Sequence, residues 1–147
     1  MLRSIAKRLA PLAGALEVDA PPRVAKFSNI QHLLTPIRAT LERDRGVLSV
    51  VAALHPTPAM GGTPRAAALA WIAQVEPFSR GWYAAPVGWV DLDGNGAFVV
   101  AIRSALAQGA RAHLFAGAGI VADSDPAREW DEIGLKFRPM REALGLA

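Results

Sequence analysis

The stretch VGWVDLDGNGAFVVAIRSAL, residues 87–106, decides the fold. Val, Ile and aromatic residues crowd both of its halves, and such side chains suit a pleated, half-buried surface. Between the halves stands LDGNG (92–96), where Asp93-Gly94 and Asn95-Gly96 offer positive φ. Turn dipeptides of this kind between apolar runs read as a β-hairpin. The stretch therefore predicts two antiparallel strands, VGWVDL and AFVVAIRSAL. A third, ARAHLFAGAGIVA (110–122), follows the short turn QGA.

On either side of this meander the pattern turns helical. DSDPAREWDEIGLKFRPMREAL (123–144) predicts a closing helix, with Asp125 as its cap, Pro126 at its first position and acids clustered early. RAAALAWIAQV (65–75) is rich in strong helix formers, and GVLSVVAAL (46–54) reads as a shorter helix. TPIRATLERD (35–44) is expected to open another, capped by Thr35 with Pro36 following. VAKFSNIQHLL (24–34) reads as a strand. The first fifteen residues place Leu2, Ile5, Leu9 and Leu12 near one face of an amphipathic helix, which the linker VDAPPR ends. Helices, an antiparallel meander and a final helix make the fold class α+β.

Composition narrows the function. Of 147 residues, 52% are hydrophobic and 20% charged, which is globular and not disordered. The net charge of +3 comes from scattered Lys and Arg with no basic run, so nucleic acid is disfavoured and an anionic small molecule is the better fit. With no cysteine there is no disulfide and no thiolate chemistry, as suits a cytoplasmic protein. No apolar run approaches the roughly 20 residues of a membrane helix. The basic, acid-free start also has the look of a targeting peptide, but its periodicity favours a helix of the fold.

Several motifs carry chemistry in principle. DLDGNG (91–96) imitates the start of a calcium loop, yet its twelfth position is Ile102 where a bidentate Glu is needed. GAGIVA (117–122) imitates a dinucleotide fingerprint but does not open a helix. Gly117 and Gly119 bring either close backbone approach to an anion or tight packing. Arg103, in an apolar strand, sits either at a strand end in water or aimed into a pocket, where its fork would match a carboxylate. Glu129 and Glu132 share a helix face with Lys136 one turn on, which by spacing alone is a solvated face with ordinary ion pairs. A lone His32 is more often a satisfied core residue than a catalyst. His55, before Pro56, is a good helix terminator.

Six ordered motifs settle more than any one alone. NIQHLLTPI, LHPTPAMGGTPRAAA, EPFSRGWYAAPVGW, DGNGAFVVAIRSAL, LFAGAGIV and EWDEIGLK, spanning about residues 28 to 137, resemble the C-terminal part of the chorismate-utilising enzymes, and among them the isochorismate synthases. The resemblance implies that chorismate, a small dicarboxylate, binds with Mg2+ and gains water at one ring carbon as a hydroxyl leaves. It implies that Glu132, with Glu129, ligates the metal and that Arg103 holds a substrate carboxylate. Gly117 and Gly119 would form a backbone cradle, Lys136 a pocket lysine, and His32 the active-site histidine. Tyr83, Ala59 and Met60 would line the pocket. Relatives that add ammonia resemble PAGTVSG and carry threonine where Ala59 stands, so alanine favours addition of water. The family's lysine base and glutamate acid lie in upstream motifs that these 147 residues lack, and Ala97 replaces an acid common after DGNG. The chain is thus expected to be the C-terminal portion of a chorismate-binding domain, inactive alone, with a complementary N-terminal chain as an expected partner. A non-catalytic or split-enzyme subunit, or a salicylate- or anthranilate-forming relative, are the alternatives.

Overall fold

The computed structural model describes residues 1–26 and 31–146. The chain divides into two compact units, Met1–Thr57 with Trp89–Ala97 and Pro58–Gly88 with Phe98–Ala147.

In the first unit, α1 (Leu2–Leu9) runs into a single 3-10 turn, Ala10–Leu12. The helix expected to reach residue 15 stops there because Pro11 lacks the N–H that an α-helix needs. Next come β1 (Ala13–Val18), β2 (Arg23–Lys26), β3 (Gln31–Leu34), β4 (Ile37–Leu41) and α2 (Val47–Leu54). β2 pairs with β3, Arg23 facing Leu34 and Lys26 facing Gln31. The strand expected over 24–34 is thus two strands, and its middle, 27–30, lies outside the described residues. β4 replaces the helix expected at TPIRATLERD. It pairs antiparallel with β1, Val18 opposite Ile37, and Asp19 N–H donates to Pro36 O. Its partly buried positions are Ile37, Ala39 and Leu41, a period of two that was present in the sequence. α1 packs against α2, Leu9 is buried, and Arg8 donates to Ala53 O at 3.3 Å.

A hairpin of β5 (Pro86–Val90) and β6 (Gly96–Val100) gives its tip to the first unit and its base to the second. At the tip, Asp91 Oδ1 accepts from Asp93 N–H and Asn95 N–H, and Oδ2 accepts from the Asn95 amide. Gly94, at φ 82, supplies the left-handed residue. The Asp91 carboxylate of DLDGNG is therefore a turn-builder.

In the second unit, α3 (Pro58–Gly61) and α4 (Arg65–Val75) precede the hairpin β7 (Ser104–Gln108) and β8 (Arg111–Phe115). Gly109, at φ 58, begins that hairpin's turn. α5 (Pro126–Ala143) closes the unit, with Asp125 accepting from Arg128 N–H at its start. The fold class is α+β, but the meander is not the expected one. AFVVAIRSAL breaks into β6 and β7, and ARAHLFAGAGIVA is strand only to Phe115.

Little of the chain is fully covered. Among the described residues the buried hydrophobic side chains are Leu9 and Ala84, while Trp82 is 79% exposed, Leu33 76% and Trp130 74%. Exposed apolar surface on this scale drives association. The 147-residue chain by itself is expected to self-associate at micromolar concentration in sedimentation velocity and to bind a hydrophobic dye. A monodisperse, dye-silent monomer would contradict this.

Candidate functional site

The candidate site is built around the break between β6 and β7. Val100 ends β6, and Ala101 carries the hairpin's register on to the residues just before β5: Ala84 N–H donates to Ala101 O at 2.8 Å, and Ala101 N–H to Ala85 O at 2.9 Å. The Ser104 hydroxyl donates back to Ala101 O at 3.4 Å, and beyond Ala101 the chain must turn before Ser104 can begin β7. It does so at Arg103, whose φ of 50 is left-handed. A left-handed non-glycine residue is costly, and such strain collects at ligand sites. Arg103 is therefore not mid-strand: it stands half-buried just before β7. Its Nε is buried and, among the described residues, has no hydrogen-bond partner.

After β8, residues 116–121 form a loop, so Gly117 and Gly119 lie in irregular backbone and not in a strand. Neither N–H donates to a backbone carbonyl among the described residues. A Cβ on Gly117 would stand 2.7 Å from the Tyr83 hydroxyl, so only glycine fits beside that ring. A Cβ on Gly119 would meet nothing within 4 Å.

α5 presents the acids. Glu129, in its first turn, accepts from Ser124 Oγ at 2.6 Å. Lys136 Nζ pairs with Glu132 at 2.6 Å and also donates to Gly117 O at 2.9 Å. The ammonium thus links helix and glycine loop, which an ordinary solvated i,i+4 pair does not do. The Glu132 carboxyl is held below its usual range, first by the hydrogen bond from Lys136 and then by its charge, with a further contribution from Arg103. Glu132, Lys136 and Gly117 are therefore joined by direct contacts within the second unit, and the Arg103 charge reaches Glu132.

Tyr83 belongs to the same set. Its ring stacks on Phe115 with centroids 5.6 Å apart at 19°. Burial is the main reason that its phenol titrates above the ordinary value. In α3, Ala59 is exposed and Met60 half-buried, and the Met60 carbonyl accepts from Arg80 at 2.9 Å. A cavity of about 530 Å³ shares Tyr83 with these residues and is otherwise lined by apolar groups such as Phe115, Leu106 and Trp82, together with Arg80, Ser79 and Ser104.

His32 belongs to the first unit, exposed on β3 opposite Ala25. It is not the buried core histidine that its neighbours suggested. His55 caps α2 in extended geometry, its N–H on Val51 O at 2.8 Å, as its place before proline requires. Sequence reasoning missed Arg80 and Glu76, which are joined by two hydrogen bonds of 2.7 and 2.5 Å. Their i,i+4 spacing was the available signal, but it extends past the end of α4 into a loop.

For a metal, the donor set is two carboxylates. Among the described residues no group of three or more His, Cys, Asp or Glu is poised to hold an ion. Mg2+ asks for less, since one or two carboxylates with water and ligand oxygens suffice. Glu132, exposed and held ionised, suits that hard cation, with Glu129 one turn earlier. Among the described residues, no helix is long and apolar enough to cross a membrane.

Known proteins resemble this arrangement over nearly its whole length. The model of the chorismate binding enzyme family matches residues 1–145. The chain belongs to the chorismate binding enzymes. It is 51% identical over 144 residues to the salicylate biosynthesis isochorismate synthase of Pseudomonas aeruginosa, covering 98% of this chain and 30% of that protein. It is 50% identical over 131 residues to an isochorismate synthase of Bacillus subtilis, covering 88% of this chain and 28% of that one. A crystal structure described as a 2,3-dihydroxybenzoate-specific isochorismate synthase from Bacillus anthracis superposes with a TM-score of 0.93 at 39% identity, covering 99% of this chain and 39% of the other. The chain therefore spans about a third of the length of the relatives it matches.

Proposed function

We propose that this chain provides the carboxylate-gripping and magnesium-holding part of an isochorismate synthase, which converts chorismate to isochorismate by adding water at one ring carbon as a hydroxyl departs. The observation that carries the reading is Arg103: a left-handed backbone carries a half-buried side chain whose Nε is buried and unspent, and whose charge reaches Glu132. A buried donor without a partner costs about 1–3 kcal/mol, a cost that a bound carboxylate would remove. In this reading the Arg103 fork and the Gly117 and Gly119 amides grip carboxylate oxygens, and Lys136 adds a positive charge beside Gly117. Tyr83, Ala59 and Met60 shape the wall. Glu132 and Glu129 would hold Mg2+, which when bound neutralises carboxylate charge. His32 is assigned to substrate contact by family likeness. Alanine at position 59 favours water over ammonia as the nucleophile.

Residues 1–147 are taken as one portion of a chorismate-binding domain, both units included. The base for the water and the acid for the leaving hydroxyl come from outside it, in a complementary segment or chain. Titration calorimetry of the 147-residue chain with chorismate, with and without MgCl2, tests this, with product chromatography alongside. Binding strengthened by Mg2+ and no isochorismate are expected. Absence of binding, or turnover by the chain alone, would each overturn the proposal.

A further inference from the structure

The two arginines of the second unit spend their donors differently. Arg103 leaves a buried Nε unpaired, whereas Arg80 commits its donors to the protein. Arg80 Nε and Nη2 grip both oxygens of Glu76, the residue that caps α4, and Nη1 donates to Met60 O at 2.9 Å. Tyr83 N–H donates to Arg80 O at 2.8 Å, and the guanidinium carbon lies 5.9 Å from the centre of the Tyr83 ring. A forked pair of this kind fixes direction as well as distance, and a cation at that range is attracted to the ring.

We propose that Arg80 is a positioning residue: it ties the α3 turn at Met60 to the end of α4 and holds the Tyr83 ring against Gly117, setting the spacing between tyrosine hydroxyl and glycine loop. The inference rests on the functional reading above, because those are the groups assigned to the ligand. It adds that their spacing is fixed by a residue whose fork is spent on Glu76 and the Met60 carbonyl. The geometry is continuous from Met60 O through Arg80 to Tyr83, from Tyr83 to Gly117, and from Gly117 O to Lys136.

Tyr83 is the chain's single tyrosine, so phenolate absorbance reads that ring alone. Its pKa is raised by burial, lowered by the Arg80 charge and raised by Glu76. The sign of the change in Arg80→Gln is therefore diagnostic. A ring released from its seat regains water, and its pKa falls toward the ordinary value of about 10. A ring that stays put loses only a nearby cation, and its pKa rises. The fall is expected, with the circular dichroism spectrum retained and chorismate affinity reduced about tenfold, as for a loosened supporting contact. A rise, or no change, in the folded variant overturns the proposal. Should Arg80→Gln fail to fold, Arg80→Lys keeps the charge without the fork. There a fall again supports the proposal, and an unchanged titration overturns it. If the unsubstituted chain binds no chorismate, the functional reading fails while the tyrosine titration still tests Arg80.

Discussion

Replacing Arg103 with glycine is expected to move stability and binding in opposite directions. At φ 50 the backbone is one that glycine adopts freely and arginine does not. Relief of that strain is worth about 1 kcal/mol, and removal of a buried, unpaired donor adds to it. The variant should therefore melt at a higher temperature than the parent. Chorismate binding should weaken about a hundredfold, or roughly 3 kcal/mol, because a charge-assisted fork to a carboxylate is gone. Arg103→Ala loses the head but keeps the backbone strain, so it should bind as poorly without the gain in melting temperature. Arg103→Lys keeps the charge but not the planar fork and should fall between. Calorimetric affinities and melting curves for the three variants check this. A glycine variant that is less stable and binds normally would remove Arg103 from the site.

The two glycines of the AGAG loop should separate just as cleanly. Gly117→Ala puts a methyl 2.7 Å from the Tyr83 hydroxyl. Tyr83 cannot step aside cheaply, because its ring is stacked on Phe115 and approached by Arg80. Overpacking of this kind costs about 1–3 kcal/mol, so the melting temperature should drop and binding should be lost with it. Gly119→Ala meets no atom within 4 Å, and its φ is not in the left-handed region. Its stability should stay within about 0.5 kcal/mol of the parent. A tenfold or greater loss of chorismate affinity at unchanged melting temperature would then report close approach of the ligand to that backbone. Unchanged affinity would restrict the cradle to Gly117.

How far the sequence could be read depends on whether each signal was local. α2, α4 and α5 are set by propensity, caps and a terminating proline, and they stand where the residues put them. The DGNG hairpin was equally plain. β1 and β4 were not, since their hydrogen bonds lie across the chain from one another. The Thr-Pro pair at 35–36 imitates a helix start, and only the alternation in IRATL spoke against it. The break at 101–103 had no glycine or proline to announce it. Ala101 still extends the hairpin's register through Ala84 and Ala85, and the chain then turns at the left-handed Arg103, a backbone state that no residue type there declares. At the site, the residue types came through the family likeness. Their mutual placement did not, because Lys136 bridging Gly117 and Glu132 is a property of folded coordinates.

The pairing of the first unit also bears on how it folds. β2–β3 nests inside β1–β4: Arg23 faces Leu34, and Val18 faces Ile37. Once the inner ribbon has closed, short tethers on either side are all that remain between the outer strands, so the outer pairing becomes a nearly local event. Loop-closure entropy then adds little, and the unit is expected to zip outward from its middle at close to the microsecond pace of a hairpin. Amides of β1 and β4 should accordingly gain protection after those of β2 and β3 in pulsed hydrogen exchange.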